Sequence, residues 1–185
     1  MFFGPRKPKS IKHKGQRLSD ILEAHVKFVK REAGGVCADL SGADLSNCDL
    51  RECNLTSAVF QGANLTGSDL RAAKLTRANF SGATMLKADL RNCDMTESNF
   101  SGADLTEAQI SGVELFRVDL SGATLHRANC RGTNFRGTNV DGADFRGADL
   151  NIAVLKECDW KHAKMEGALV ETALLYGPVP IETKK

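Results

Sequence analysis

A five-residue repetition of apolar residues constrains this chain more than any other feature. From Leu40 to Leu175, every fifth residue is large and apolar except Cys130, which gives 28 consecutive positions without an insertion or a deletion. We call this residue the centre of its unit, and the residue two positions before each centre is always Ala, Cys, Ser, Thr or Val. A period of five fits neither an α-helix nor a straight strand, so the chain must turn once per unit to keep its centres inside. The pattern predicts a solenoid.

A longer period of 20 residues indicates how many sides each coil has. Aromatic centres recur at this spacing, and so do a glycine two residues after the centre and outward charges of alternating sign. These columns are Phe60, Phe80 and Phe100; Gly42, Gly62, Gly82, Gly102, Gly122 and Gly142; Arg77, Glu97 and Arg117; and Lys87, Glu107 and Arg127. Glycine suits a corner that needs a positive φ, and opposite charges attract when they stack on neighbouring coils. Twenty residues per coil predict four sides of five residues and about seven coils.

Many units follow the pattern Ala-(Asp/Asn)-Leu-x-x, most clearly those that begin at Ala38, Ala43, Ala63, Ala103 and Ala148. With this pattern, residues 36–177 resemble the pentapeptide repeat family. The resemblance implies an all-β solenoid, a right-handed quadrilateral β-helix whose 28 repeats form about seven coils joined by backbone hydrogen bonds. We expect the centres to form the core, and the residues that we single out are Phe60, Phe80, Phe100, Leu105, Leu120 and Trp160.

The two ends of the chain depart from the repeat. Residues 1–17 are predicted to be a disordered basic arm, and residues 18–35 a helix with an apolar stripe through Leu18, Ile21, Leu22 and His25 that covers the first coil. A partner-binding helix is the rival interpretation. At the other end, residues 178–185 form a short tail. Family members often dimerise through the C-terminal coil, so we hypothesise a homodimer through an end that contains Leu169, Leu174 and Tyr176.

The residues that could carry chemistry are explained by the repeat. Four of the six cysteines (Cys48, Cys53, Cys93 and Cys158) occupy the small inward position, and the four histidines lack the spacing of metal ligands. We find no nucleophile motif or phosphate-binding loop, so the sequence predicts a non-enzyme without a cofactor or a metal. It holds neither a secretory signal nor an apolar run of about 18 residues, so we expect a cytoplasmic protein that does not span a membrane.

The charge pattern suggests where a partner could bind. The whole chain has a net charge of +2, whereas residues 1–35 carry +6 and residues 36–177 carry −5. The outward column Arg51, Arg71 and Arg91, followed by Arg131, has aspartates two residues before its first three members. Two interpretations stay open: a self-compensated ladder of ion pairs, or a surface that binds an anionic partner. The outward apolar residues Leu86 and Phe116 are further candidate contacts.

These observations favour a non-catalytic scaffold or adaptor with an unknown protein partner. The resemblance also implies an alternative, because some family members bind DNA gyrase as mimics of duplex DNA and so protect against quinolones. The charge of −5 and the arginine column suit such mimicry poorly. Nucleic-acid binding is expected only through the basic arm, which has few aromatic residues.

Overall fold

The computed structural model describes residues 5–175 of the chain, most of which form a four-sided β-helix. From Asp39 to Leu169, every parallel bridge joins residues that are 20 positions apart, beginning with Asp39–Val59 and ending with Asp149–Leu169. Each side contributes a single bridged residue in most coils, so continuous strands are few. They are β1 (Lys12–His13), β2 (Gln16–Arg17), β3 (Val154–Leu155) and β4 (Leu174–Leu175), where β1 pairs antiparallel with β2 and β3 pairs parallel with β4. The predicted coil length of 20 residues is confirmed.

The corners of the coils are four-residue turns. The first of them closes with a hydrogen bond from the Ala43 N–H to the Leu40 carbonyl (3.1 Å), and its third residue, Gly42, has the predicted positive φ of 66°. The same left-handed conformation recurs at corners that lack glycine, for example at Ala72 and Arg77, with φ of 59° and 58°. A Cβ makes this conformation unfavourable by roughly 1–2 kcal/mol. The packed centres on both sides of each corner therefore override local preference.

The Asp or Asn that precedes many centres has a structural role at the corner. Its side-chain oxygen accepts a hydrogen bond from the backbone N–H two residues later, as from Ser41 to Asp39 (3.1 Å) and from Thr66 to Asn64 (3.1 Å). An Asx turn of this kind satisfies a backbone donor that faces solvent and stabilises the bend. The acidic residues of the repeat are therefore explained by backbone geometry.

The centres fill the interior of the β-helix. Phe60, Phe80 and Phe100 form a continuous stack with ring centroids 4.6 and 4.7 Å apart and interplanar angles of 7° and 12°. A second aromatic cluster, which the sequence did not indicate, surrounds Trp160. Its ring centroid lies 5.5 Å from that of Phe135 and 5.2 Å from that of Phe145. Leu105 and Leu120 are each only 2% exposed, and Trp160 is 1% exposed.

The hydrogen-bond ladder has two gaps within the described residues, and each lies beside an inward side chain that is large for its position. No bridge joins Asp94 to Glu114, next to Val113, and none joins Asn139 to Asp159, next to Trp160. The small inward position holds valine only at 113 and at 118, and Trp160 is the largest centre. A cavity of about 10 Å³ near the first gap is lined by apolar side chains that include Met95, Leu115 and Val118. The Asn99–Asp119 bridge, beside Val118, is intact, so a valine at the small position does not by itself open the ladder.

Residues 5–17 are ordered against the first coil, so the prediction of a disordered arm over 1–17 is wrong for them; residues 1–4 lie outside the described part. Arg6 adds a bridge beside Cys48, with its N–H donating to Asn47 (2.7 Å) and its carbonyl accepting from Asp49 (2.9 Å). Ile11 lies between a 3₁₀ turn at Pro8–Ser10 and the β1–β2 hairpin, and it is buried. Charged residues outnumber apolar ones in this segment, so its composition alone predicts a solvated arm.

Helix α1 (Leu18–Lys30) follows, and it is shorter than the predicted 18–35. It ends because Arg31 adopts the left-handed conformation (φ 59°) and the Glu32 N–H donates to the Lys27 carbonyl (2.9 Å), a C-terminal closure made without glycine. Gly35 has a different role, since a Cβ there would lie 2.4 Å from the Phe28 backbone nitrogen. No helix within residues 5–175 has the length and apolar character needed to cross a bilayer.

Candidate interaction surfaces

Arg51, Arg71 and Arg91 lie one coil apart on one side of the β-helix, and we call them the arginine row. Each forms a bidentate ion pair with the aspartate two residues before it. The Nε–Oδ1 and Nη2–Oδ2 distances are 2.8 and 2.9 Å for Arg51–Asp49, 2.9 and 2.6 Å for Arg71–Asp69, and 2.9 and 2.7 Å for Arg91–Asp89. The three arginine side chains remain 46%, 42% and 45% exposed.

The ion pairs also connect successive coils. Arg51 Nε lies 3.5 Å from an oxygen of Asp69, and Arg71 Nε lies 3.5 Å from an oxygen of Asp89. Hydrogen bonds from the arginines lower the pKa of Asp49 and of Asp69 below the usual range of a carboxyl, and these carboxylates in turn raise the pKa of the arginines. The row is therefore a continuous ladder of alternating charge, and the carboxylates of Asp49 and Asp69 stay ionised at neutral pH.

The other predicted contact residues do not join this row. Arg131 is separated from it by Ser111 and pairs instead with Asp149 of the next coil (3.2 Å). Leu86 is half-buried on the preceding side of the β-helix, where its carbonyl accepts from Gly67. Phe116 lies on the following side; it is 43% exposed, and the guanidinium of Arg117 lies 5.0 Å from the centre of its ring. The six residues thus lie on three sides.

Basic residues of the N-terminal segment pair with acidic residues of the first coil. Arg6 lies 3.0 Å from Asp44, Lys7 lies 2.8 Å from Asp49, and Lys14 lies 2.6 Å from Asp39. The Lys14–Asp39 pair connects the N-terminal segment, which was expected to be disordered, with the first side of the β-helix. The hydrogen bond from Lys14 lowers the pKa of Asp39. Three of the cations that could have bound nucleic acid are therefore engaged within the chain.

The C-terminal coil exposes apolar side chains at its rim. Leu169 is 45% exposed and Leu174 is 54% exposed, although their backbones pair with Asp149 and Val154 of the preceding coil. Tyr176, the third residue of the predicted dimer end, lies outside the described residues. The exposure of the two leucines follows from the sequence, because both occupy positions that usually hold Asp or Asn.

Cysteines and histidines do not form a reactive cluster in the part of the chain that the structure describes. All six cysteines are free thiols, and no group of three or more potential ligands among residues 5–175 could hold a metal ion. Burial raises the pKa of Cys48 and of Cys93 to about 12. His25 is fully buried, and its Nδ1 accepts a hydrogen bond from the Ala38 N–H (3.0 Å).

Comparison with known proteins agrees with this geometry. A family model described as pentapeptide repeats matches residues 36–71, 73–112 and 114–151, in eight copies. No curated protein matches the chain. Two structures of trypsin-treated QnrB1, a plasmid-mediated fluoroquinolone resistance protein, are 25% and 26% identical, with TM-scores of 0.72 and 0.65. They cover 77% and 74% of this chain, and the chain covers 72% and 69% of theirs. HetL, from the cyanobacterium Nostoc sp. strain PCC 7120, is 26% identical over 74% of this chain and 82% of its own, with a TM-score of 0.32.

Proposed function

Since the chain belongs to the pentapeptide repeat family, whose members fold as right-handed quadrilateral β-helices, we propose that it is a non-catalytic scaffold or adaptor. Its function is to engage a protein partner through one rigid side. The arginine row is the surface that supports this proposal best. The bonds to the aspartates use Nε and Nη2 of each arginine, so a partner carboxylate can approach Nη1 without breaking the ladder. Bidentate pairing fixes the direction of each guanidinium and lowers the entropic cost of binding.

Capture experiments with a matched control test this proposal. The triple variant Arg51→Gln, Arg71→Gln, Arg91→Gln removes the row, while Arg77→Gln, Arg117→Gln, Arg127→Gln removes three exposed arginines elsewhere. Both variants lose the same charge, and circular dichroism checks that both fold. We expect a partner captured from lysate by the wild type to be retained by the control and lost by the row variant. Equal retention by the two variants would contradict the proposal.

A second candidate is binding to DNA gyrase, which the similarity to the fluoroquinolone resistance protein QnrB1 favours. Mimicry of DNA requires dense uncompensated negative charge. Here Asp49, Asp69 and Asp89 are neutralised by the arginine row, and this makes gyrase the weaker candidate. A supercoiling assay distinguishes the two functions, because inhibition at low micromolar protein would favour mimicry. The variant Lys9→Ser, Lys12→Ser keeps the buried Ile11, and it tests whether exposed cations of the N-terminal segment contribute to that inhibition.

The proposal includes a capping role for α1 and the segment before it. Leu18 is fully buried against the core, the Val36 N–H donates to the Ala24 carbonyl (3.1 Å), and His25 accepts from Ala38 at the start of the first coil. A solenoid end without such cover exposes apolar centres and unpaired backbone groups. The capping role therefore accounts for the contacts better than a free partner-binding helix does.

A further inference from the structure

The β1–β2 hairpin beside the first coil places two cations opposite each other. Lys12 of β1 is the register partner of Arg17 of β2, and we call these two residues the cation pair. Register partners have Cβ atoms about 5 Å apart, so like charges at such positions repel and destabilise a hairpin. Both residues are exposed, and neither has an ion-pair partner within residues 5–175, unlike Arg6 and Lys7 of the same segment. The hairpin therefore carries uncompensated positive charge.

The hairpin is held against the β-helix at both of its ends. Its two-residue turn consists of Lys14 and Gly15, whose positive φ values of 48° and 82° suit a tight hairpin turn. The Lys14–Asp39 ion pair (2.6 Å) fixes the turn to the first coil, and the Leu18 N–H donates to the Ile11 carbonyl (2.9 Å) at the other end. The backbone that carries the cation pair is thus in place before a ligand binds, which lowers the entropic cost of binding.

The cation pair lines a cleft that also has an apolar surface. The cleft has a volume of about 660 Å³, which lies within the usual range of small-molecule sites. Its apolar surface comes from Ile21 and Ala24 of α1 and from Val36, which is 63% exposed. The Val36 N–H donates to the Ala24 carbonyl (3.1 Å), so these side chains are held together by the backbone. The cleft therefore combines positive charge with an apolar surface.

The two carboxylates that line the cleft have partners of their own. Asp39 accepts hydrogen bonds from Lys14 (2.6 Å) and from the Ser41 hydroxyl (2.6 Å). Asp20 accepts from the Ser19 hydroxyl (3.0 Å), and it lies in the first turn of α1, where the positive end of the helix stabilises a negative charge. Neither carboxylate forms an ion pair with the cation pair. An anion from outside the chain can therefore bind both cations without displacing a carboxylate.

We propose that this cleft binds a phosphate monoester that carries an apolar group. A monoester has a charge of about −1.5 to −2 at pH 7, so it balances both members of the cation pair, whereas a carboxylate balances only one. The guanidinium of Arg17 can donate to two phosphate oxygens at once, and the ammonium of Lys12 adds a point charge. The apolar group of the ligand covers Ile21, Ala24 and Val36. Free metabolites and phosphorylated tyrosine side chains share this chemistry.

An NMR titration of the full chain with phenyl phosphate tests this proposal. We expect saturable shifts of the backbone amides of residues 12–21 and 36–39, with a dissociation constant of about 1 mM for a ligand with so few atoms. Benzoate has the same ring but a single charge, so it should bind about tenfold more weakly. Inorganic phosphate has the charge but lacks the ring, and it should also bind more weakly than phenyl phosphate.

Three variants separate the contributions to binding. Lys12→Gln, Arg17→Gln removes the cation pair and should weaken the binding of phenyl phosphate by about tenfold or more. The control Lys9→Gln, Lys27→Gln loses the same charge from residues that do not line the cleft, so it should bind as the wild type does. Val36→Ser makes the apolar surface smaller, and it should weaken the binding of phenyl phosphate but not that of inorganic phosphate. Circular dichroism checks that all three variants fold.

Three outcomes would overturn the proposal. These are no saturable shift at residues 12–21 and 36–39, equal binding by the cation-pair variant and its control, and binding of benzoate or inorganic phosphate as tight as that of phenyl phosphate. If the site is supported, a phosphotyrosine peptide identifies the source of the ligand. Tighter binding of the peptide than of phenyl phosphate assigns the ligand to a protein, and weaker binding assigns it to a free metabolite. None of these outcomes bears on the arginine row, so the scaffold proposal is tested separately.

Discussion

Removing the middle ring of the phenylalanine stack should destabilise the protein by about 3–5 kcal/mol. Phe80 is fully buried and contacts one ring above and one below, at centroid distances of 4.6 and 4.7 Å. Phe80→Ala loses the transfer free energy of a buried aromatic side chain and leaves a cavity between Phe60 and Phe100. The coils cannot collapse into this cavity, because the Phe80 N–H donates a hydrogen bond to the Asn99 carbonyl (2.7 Å) and so fixes the spacing between the two coils.

Equilibrium unfolding in urea measures this loss, and Ser81→Ala is the matched control. Ser81 is the next residue and is half-exposed. Its backbone N–H donates to the Asn79 side chain (3.0 Å) and its carbonyl accepts from the Gly62 N–H (3.0 Å), and the substitution leaves both bonds in place. Its substitution should change the free energy of unfolding by less than about 0.5 kcal/mol. Phe80→Leu should fall between the two variants. Equal effects at 80 and 81, or a loss below about 1 kcal/mol for Phe80→Ala, would refute the reasoning about the core.

Three further predictions concern a corner, the buried histidine and the thiols. Ala72→Gly should stabilise the fold by about 0.5–1 kcal/mol because Ala72 has a φ of 59°, which glycine adopts without strain. Ala73→Gly removes a buried methyl group and should destabilise the fold by about 1–2 kcal/mol in the same urea assay. A loss of stability in Ala72→Gly would contradict the left-handed conformation at this corner. Burial lowers the pKa of His25, so the folded state favours neutral imidazole, and stability should be complete above pH 6.5 and decline as the pH falls towards the lower folded value. Thermal unfolding at pH 5–7.5 measures this dependence of stability on pH, and His25→Asn should make the dependence weaker. The same dependence in the wild type and the variant would refute the role of His25. Cys48 and Cys93, with pKa values raised to about 12, should react with a thiol reagent at pH 8 only after unfolding, and rapid labelling of the native protein would contradict their burial.

The sequence was sufficient to predict the parts of the fold that repeat. An uninterrupted period of five sets the inward register, and the columns at 20 residues set the length of the coil. The Arg77–Glu97 contact (2.8 Å) and the stack through Phe80 lie where those columns placed them. Prediction succeeded because each residue of a solenoid packs mainly against its equivalent in the neighbouring coil, so a single spacing specifies most contacts. The count of about seven coils and the contact role of the arginine row stay predictions.

The sequence did not reveal features that depend on contacts outside the repeat. The order of residues 5–17 rests on Ile11 and on ion pairs such as Lys14–Asp39, which join positions without a common spacing. The ladder gaps, between Asp94 and Glu114 and between Asn139 and Asp159, interrupt a spacing that the sequence repeats without a break. The left-handed conformation of Arg77 contradicts its local preference and follows from the packing of the centres on both sides of the corner.

The sides and the ends of a solenoid face different physical demands. On a side, each charge has an equivalent position one coil above and one below, so ion pairs such as Arg51–Asp69 can satisfy it within the chain. At an end, one neighbouring coil is absent, so groups there lack the partners that a further coil would supply. A partner that binds a side must therefore approach groups that already have partners, whereas a partner that binds an end meets unsatisfied ones. For equal contact area, we accordingly expect the stronger association at the ends.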